Sequence, residues 1–387
     1  MIVMVLAVAA SSAACSAEDA ALAPCVVRPA ADIVPASGVL FGVNPDWATE
    51  TLREYAIKLG ERPAVTVSFA DVPLTDADRT NIDGAVGQVR LNGGTLLLTL
   101  EPKEGLAAVT DDVAADLAAL SASINESGVP VIIRFAHEMN GSWYAWGQQP
   151  GEYVATFQRV ARAVHENAPG TAMMWAPNNA DGYPFSGGAS AVETGEPDFA
   201  LLDTDGDGTL SLADDPYAPY YPGDDAVDWV GMSLYHWGSA HPWGENEMPE
   251  AGKFAAQLTG TYVGAQGDES AAPDFYQVYG IDHGKPVAIP ETAALVVRRG
   301  DDAGELAIKE AWWNQIFSSD TATRFPNLKM INWFEWDKEE VEVGDRVDWT
   351  VLADPATRKA FTADLPDWLV YSEGGAGCAA PERVPAS

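Results

Sequence analysis

Basic residues are scarce in this chain: 22 Lys+Arg stand against 57 Asp+Glu in 387 residues, a formal charge of −35. A surface that negative repels phosphate backbones, so nucleic acid is excluded as a partner. Cysteine is scarcer still, with three in the whole chain, and the length is far beyond that of a small disulfide scaffold. Internal repeats, heptads and low-complexity blocks are absent. Long hydrophobic runs are missing too. The apolar stretch from Ile2 to Ala10 is too short to cross a bilayer, so no transmembrane span is expected. What remains, 47% hydrophobic and 20% charged residues, is the composition of a folded globular chain. The length suits two ordinary domains or one large α/β barrel with insertions.

The apolar start runs into small residues, Ser11-Ser12-Ala13-Ala14-Cys15, and then switches abruptly to Glu18 and Asp19. This fits the apolar core and cleavage zone of an export signal, although the usual basic beginning is missing. Ser12-Ala13-Ala14-Cys15 resembles a bacterial lipoprotein box, with Ser12 where Leu is usual. The expectation is a secreted protein or cell-surface lipoprotein, with residues 1–24 as leader and linker and 25–387 as a single domain. Cys25 and Cys378 lie near opposite ends of the mature chain, where an exported protein would either pair them or leave two exposed thiols in loose tails.

Eight apolar or β-branched runs recur along the chain, at 38–44, 64–70, 94–101, 130–138, 171–177, 227–235, 286–291 and 328–336. Helix-like segments fall between and after them, at 49–59, 76–91, 111–126, 152–167, within 251–280, at 305–317 and at 355–363. Near-continuous apolar strands alternating with helices predict a parallel sheet covered on both faces. Eight such units in about 300 residues predict a (β/α)8 TIM barrel. A doubly wound sheet is disfavoured because no Gly-rich phosphate loop follows the first run; Gly38 and Gly42 lie inside it. Two connections are oversized, 178–226 after the fifth strand and 237–285 after the sixth. In a barrel both insertions lie on the C-terminal face, where ligands bind.

Two strand ends carry lone glutamates. Val131-Ile-Ile-Arg134-Phe-Ala-His137-Glu138 runs straight into a turn followed by Trp143, Tyr144 and Trp146. Period-two alternation puts Arg134, Ala136 and Glu138 on one face, and a buried Arg needs a carboxylate partner. The run Pro286-Val-Ala-Ile-Pro290 likewise ends on Glu291. On the fourth and seventh strands these two glutamates would face each other across the barrel mouth. Taken singly, each reads as a salt-bridging strand terminus. As a pair in a sugar-sized cleft they match what glycoside hydrolysis requires, a protonated acid and a carboxylate. Trp143, Trp146, Tyr235, Trp237, Trp243, Trp333 and Trp336 fall at or just past strand ends, where aromatic rings stack on the C–H faces of sugars; core packing claims one or two of them.

A different chemistry is written in the first insertion. Asp203-Thr-Asp205-Gly-Asp207-Gly208-Thr209-Leu210-Ser211-Leu-Ala-Asp214 follows the spacing of an EF-hand calcium loop. Oxygen ligands stand at positions 1, 3 and 5, a glycine at 6, a backbone carbonyl (Thr209) at 7, and Asp214 in place of the usual Glu at 12. A structural Ca2+ is the expectation, with no cofactor for catalysis.

Arg134-Phe-Ala-His137-Glu138-Met-Asn-Gly141-Ser-Trp143, with Glu291 downstream, resembles glycoside hydrolase family 26. Trp175-Ala-Pro-Asn178, Asp228-Trp-Val-Gly-Met-Ser-Leu-Tyr235 and Ile331-Asn-Trp333-Phe extend the resemblance, which covers roughly residues 38–368. The family holds mainly endo-β-1,4-mannanases, with some mixed-linkage β-glucanases and β-1,3-xylanases, on a (β/α)8 barrel. The resemblance implies Glu138 as acid/base and Glu291 as nucleophile of a retaining mechanism. It implies that His137 holds the surroundings of the acid/base, Trp143 lines a subsite, Tyr235 bonds the nucleophile and Trp333 lies under the cleaved sugar. Arg134 and Trp146 are counted with these substrate-binding residues. One departure stands out: Glu101 ends the third strand where mannanases of the family often carry a His-containing segment, which makes mannan specificity less secure than the catalytic pair. The expected protein is a monomeric, endo-acting β-glycanase on a neutral polysaccharide, β-1,4-mannan first. The alternatives are a β-1,3-1,4-glucanase or xylanase, a non-catalytic surface glycan-binding protein, or a structural calcium-binding surface protein.

Overall fold

The computed structural model describes residues 22–239, 243–264, 267–268 and 271–379. Cys15 and nearly all of the expected leader lie outside the described residues. Eight parallel strands form the centre: β1 (Val39–Pro45), β2 (Val65–Asp71), β3 (Thr95–Glu101), β4 (Val131–Phe135), β5 (Thr171–Trp175), β6 (Trp229–Gly231), β7 (Val287–Thr292) and β8 (Leu328–Glu335). They pair in chain order, and β8 closes on β1 with Leu40 opposite Met330. The expected (β/α)8 barrel is the observed one.

Alternation explains why every strand is apolar on both sides. Leu40, Val67, Leu97, Ile132, Met174 and Met330 fill the lumen. Their neighbours Phe41, Leu96, Leu98, Ile133 and Ile331 pack outward under the helices. Helices α1 (Leu52–Leu59), α2 (Asp76–Asn92), α3 (Asp111–Glu126) and α4 (Pro150–Asn167) cover the first four crossovers. Thr51 and Thr75 start α1 and α2 through capping boxes with Glu54 and Asp78, which satisfy backbone N–H groups that a helix start leaves free. Helix α5 (Asp302–Ile316) follows β7, and α6 (Pro355–Asp364) follows β8 behind an Asp354 cap.

Three sequence expectations change. The run expected as strand to 138 stops at Phe135, because Ala136 and Glu138 take left-handed backbones with φ of 46° and 54°. The sixth ladder shortens to three residues, beyond which the chain continues through isolated bridges, Ser233 with Asn178 and His236 with Ala294. Within 251–280 two short pieces form, Lys253–Leu258 and a π-helical Tyr276–Asp282, separated by Gly260 and Pro273. The fifth crossover carries no long helix, only the turns Phe199–Leu202 and Ala218–Tyr220. An antiparallel hairpin, Asp337–Glu340 with Asp345–Asp348, follows β8 and was not anticipated.

Cys25 and Cys378 form a disulfide, and Pro24 bridges Ala379 beside it. The pair lies at the strand-start end of the barrel. Gly128, three residues ahead of β4, packs against both sulfurs, and Arg90 near the end of α2 donates to the Cys378 carbonyl. Of the two readings of these cysteines, pairing is the one realised. Among the described residues no helix is long and apolar enough to cross a membrane.

Candidate active site

Glu291 reaches the barrel mouth by an irregularity. Along β7, Ala288 faces the lumen and Ile289 the helices. Strict alternation would then send residue 291 outward. The β7–β8 ladder instead pairs Ile289 with Ile331 but Thr292 with Trp333, so β7 spends one extra residue around Pro290. That bulge re-aims the following side chains. Thr292 turns outward to accept from the Trp312 indole at 3.0 Å, while Glu291 turns inward. There it meets Arg134 of β4, which is fully buried and ion-paired to Glu291 Oε1. Tyr235 donates its hydroxyl to Glu291 Oε2 at 2.7 Å. The expected carboxylate partner of the buried Arg is therefore Glu291. Arg134, counted above as substrate-binding, has no exposed surface and acts through the glutamate it holds.

Glu138 enters the same network from the other side. Its left-handed backbone is pinned where its N–H donates to the Ala176 carbonyl at 2.8 Å. A non-glycine residue in this region stores strain, which clusters at functional sites. Trp143 folds back over Gly141, whose missing Cβ makes room for the ring, and donates its indole N–H to Glu138 Oε2 at 3.0 Å. Phe185 from the first insertion braces Trp143 edge-on at 5.1 Å. Burial pushes the Glu138 carboxyl up to about 7, and the nearby charge of Glu291 pushes the same way; Arg134, Ser233 and Trp143 oppose them. Ser233 was not anticipated. Its hydroxyl accepts from Arg134 Nη2 at 2.6 Å and also bonds Glu138, so the serine links Glu138 to the arginine that holds Glu291. Its position in Trp229-Val-Gly231-Met-Ser233-Leu-Tyr235, every second residue facing the lumen, was the available signal.

The other expected contacts divide. Trp143 is 38% exposed at the rim, as a subsite residue requires. His137 is buried among Phe69, Tyr144 and Trp146. Burial first, and then the Arg134 charge, hold its imidazole well below the usual histidine range. It supports the loop that carries Glu138 from beneath and is closed off from the barrel mouth. Trp146 is likewise buried, stacked on Tyr144 at 4.4 Å with its indole donating to the His137 carbonyl. Trp333 is corrected as well. It lies on the outward row of β8, packed on Phe361 of α6. The rim side of that strand belongs to its neighbours Phe334 and Trp336, stacked 5.9 Å apart. Trp237 and Trp243 extend an aromatic wall with Tyr235 and Trp349.

The acidic loop of the first insertion brings carboxylate oxygens of Asp203, Asp205 and Asp214 within 4.8 Å of one another. The Gly208 amide donates to Asp203 Oδ2 at 3.0 Å, so the glycine at position 6 turns the loop back on position 1. Asp214 is buried and accepts the amides of Thr204 and Ser211. Asp207 stands apart from the group, since its Oδ1 accepts from both the amide and the hydroxyl of Thr209. An all-oxygen donor set of this kind fits a hard divalent cation.

The model of Glycosyl hydrolase family 26 matches residues 98–184, a span that includes Glu101, Arg134, His137, Glu138 and Trp143. Endoglucanase H of Acetivibrio thermocellus is 25% identical over 162 residues, 40% of this chain and 15% of that protein. A β-1,3-xylanase of Alcaligenes sp. is 25% identical over 216 residues, 52% of this chain and 38% of that protein. The chain thus spans well under two thirds of the length of these curated relatives. A modular endo-β-1,4-mannanase from Cellulomonas fimi superposes with a TM-score of 0.56 at 16% identity, covering 95% of this chain and 80% of that one. That likeness shows the barrel fold. The resemblance to glycoside hydrolase family 26 read from the sequence is borne out.

Proposed function

We propose that this chain is a retaining, endo-acting glycoside hydrolase that cleaves a β-linked polysaccharide, with β-1,4-mannan the first substrate to test. One observation carries the reading: a single buried network holds two glutamates in opposite surroundings. Glu138 is pushed up to about 7 by burial and by Glu291, and Glu291 faces two donors, Arg134 and Tyr235. A carboxyl held protonated up to about neutrality, beside one gripped by two donors, suits the roles of acid and nucleophile.

In the first step the Glu291 carboxylate forms a bond to the anomeric carbon. The glycosidic C–O bond breaks, and Glu138 gives its proton to the departing oxygen. Glu138, now a carboxylate, takes a proton from water, whose oxygen attacks the same carbon and expels Glu291. Two inversions return the original anomeric configuration. Reducing-sugar release from mannan, glucomannan, lichenan, β-1,4-xylan and β-1,3-xylan tests the reading and chooses among substrates. Calorimetric binding of a glycan without release from any of them would leave a non-catalytic binding protein.

The pH dependence follows from the same carboxyl. A general acid works only while protonated, so kcat/KM is expected to hold below neutrality and to fall as pH rises through about 7. The Trp143 indole bond favours the ionised form of Glu138, so Trp143→Phe is expected to move this alkaline limb upward. A limb that stays in place would deny Trp143 that influence.

We also propose a structural Ca2+ in the 203–214 loop. Its insertion carries Phe185, which braces Trp143, so the ion would stiffen the rim beside the acid/base. Chelation is expected to lower the melting temperature, with recovery on adding calcium. An unchanged melting temperature would exclude the site. The disulfide suits an oxidising compartment, in line with export. Incorporation of labelled palmitate in a bacterial host tests Cys15, and analytical ultracentrifugation tests the expected monomer.

A further inference from the structure

Glu101 is the last residue of β3, on the same inward row as Leu97 and Thr99, and β3 is the immediate neighbour of β4. Across the ladder it lies opposite Asp71, the last residue of β2. Lys103 spans the two, with Nζ 2.7 Å from Asp71 Oδ1 and 3.3 Å from Glu101 Oε2. The bridge reaches Glu101 through Oε2. The side chain is only 13% exposed and ends the inward row of the strand beside β4, on the side of the barrel mouth that Glu138 occupies; the Glu291 charge reaches it, and its own charge reaches Tyr144. Burial raises its pKa while Lys103 opposes the rise.

The chemistry of such a group is one-sided. An ionised carboxylate accepts hydrogen bonds and donates none, and two adjacent hydroxyls of a sugar donate to it well. An acetyl ester on one of those hydroxyls removes the hydrogen. It also brings a carbonyl oxygen against a nearly buried carboxylate that Lys103 alone then serves, and a site deprived of the hydroxyl it is built to bind rejects the analogue. We propose that Glu101, held by Lys103, is a specificity-determining residue that selects glycan chains with free vicinal hydroxyls over O-acetylated ones. The inference rests on the glycosidase reading and deepens it. The competing role is purely structural: Glu101 would anchor Lys103 and tie the ends of β2 and β3 together.

The test uses whichever glycan of the panel is cleaved, in its unmodified form and after partial chemical O-acetylation. The parent protein is expected to favour the unmodified form by about 10- to 100-fold in kcat/KM, the worth of one charge-assisted hydrogen bond. Glu101→Ala is expected to lose that factor on the unmodified form alone, bringing the ratio of the two substrates towards one. Lys103→Met, which removes the cation that keeps Glu101 ionised and in place, is expected to weaken the preference without abolishing it. Glu101→Gln keeps the size of the side chain and should fall between the parent and the alanine variant in the same ratio, which guards against misfolding of the alanine variant. A parent without preference, or variants that slow both substrates equally, would overturn the inference and leave the glycosidase reading standing. Absence of release from every glycan by the parent would defeat the glycosidase reading itself, and this inference with it.

Discussion

Glu291→Ala is expected to lower turnover of the cleaved glycan by on the order of 10⁵-fold, the scale seen when a covalent nucleophile is removed. The reason is the absence of a substitute. Arg134 and Tyr235 only donate to Glu291, and Glu138 is committed to the leaving oxygen and to the Trp143 indole. The cavity left by the side chain gives a second readout. A small anion such as azide could occupy it and attack the anomeric carbon from the face Glu291 used. The product would be a glycosyl azide of inverted configuration, because one displacement replaces two. Removing the carboxylate also strands the Arg134 charge, so a loss of fold must be separated from a loss of chemistry. Glu291→Gln keeps an acceptor for Arg134 and serves as that control. It should stay folded and lose nearly as much rate. Substantial turnover in Glu291→Ala without azide would rule out the nucleophile assignment.

Arg134→Met is expected to cost about 3–5 kcal/mol of stability, because it leaves a buried carboxylate without its counter-charge. Arg134 is fully buried, and its guanidinium is divided between Glu291 and Ser233. The volume change is modest, so the electrostatic loss dominates. Urea unfolding at neutral pH measures it. Arg134→Met combined with Glu291→Gln should recover much of the loss without restoring turnover, since both charged members of the pair are then gone. Arg134 also holds the Glu138 carboxyl down, so any residual activity of Arg134→Met should show its alkaline limb at higher pH. A variant as stable as its parent, with an unmoved limb, would reduce Arg134 to a packing residue.

The barrel was legible because its strands are buried on both faces and its helices carry their own start signals. Thr51, Thr75 and Thr110 each cap a helix within three residues of the expected boundary. The catalytic candidates were legible for a related reason: a charge at the end of an apolar strand is conspicuous. What alternation could not supply was direction. Counting in twos assigns Glu138 to the inner row, but the ladder has already stopped at Phe135 and two left-handed residues carry the side chain there. Counting in twos assigns Glu291 to the outer row, and the bulge at Pro290 reverses it. The resemblance implies a place under the cleaved sugar for Trp333 and counts Trp146 with the substrate-binding residues, but neither it nor a position near a strand end says which side of the backbone a ring takes. Trp333 faces α6, and Trp146 lies beneath the loop that carries Glu138. The hairpin after β8 carries alternating charge rather than an apolar run, so it gave no strand signal.

The disulfide between Cys25 and Cys378 fixes more than a pair of tails. It gathers both ends of the described chain beneath the strand starts, against Gly128 and Arg90, while Glu138 and Glu291 open at the opposite end. Anything attached ahead of Cys25 or behind Cys378 therefore pulls on the floor of the barrel. A tethered copy would stand with its mouth turned away from the surface that holds it, towards material too large to diffuse underneath. Immobilisation or fusion through either end should consequently leave access to a long polymer unobstructed.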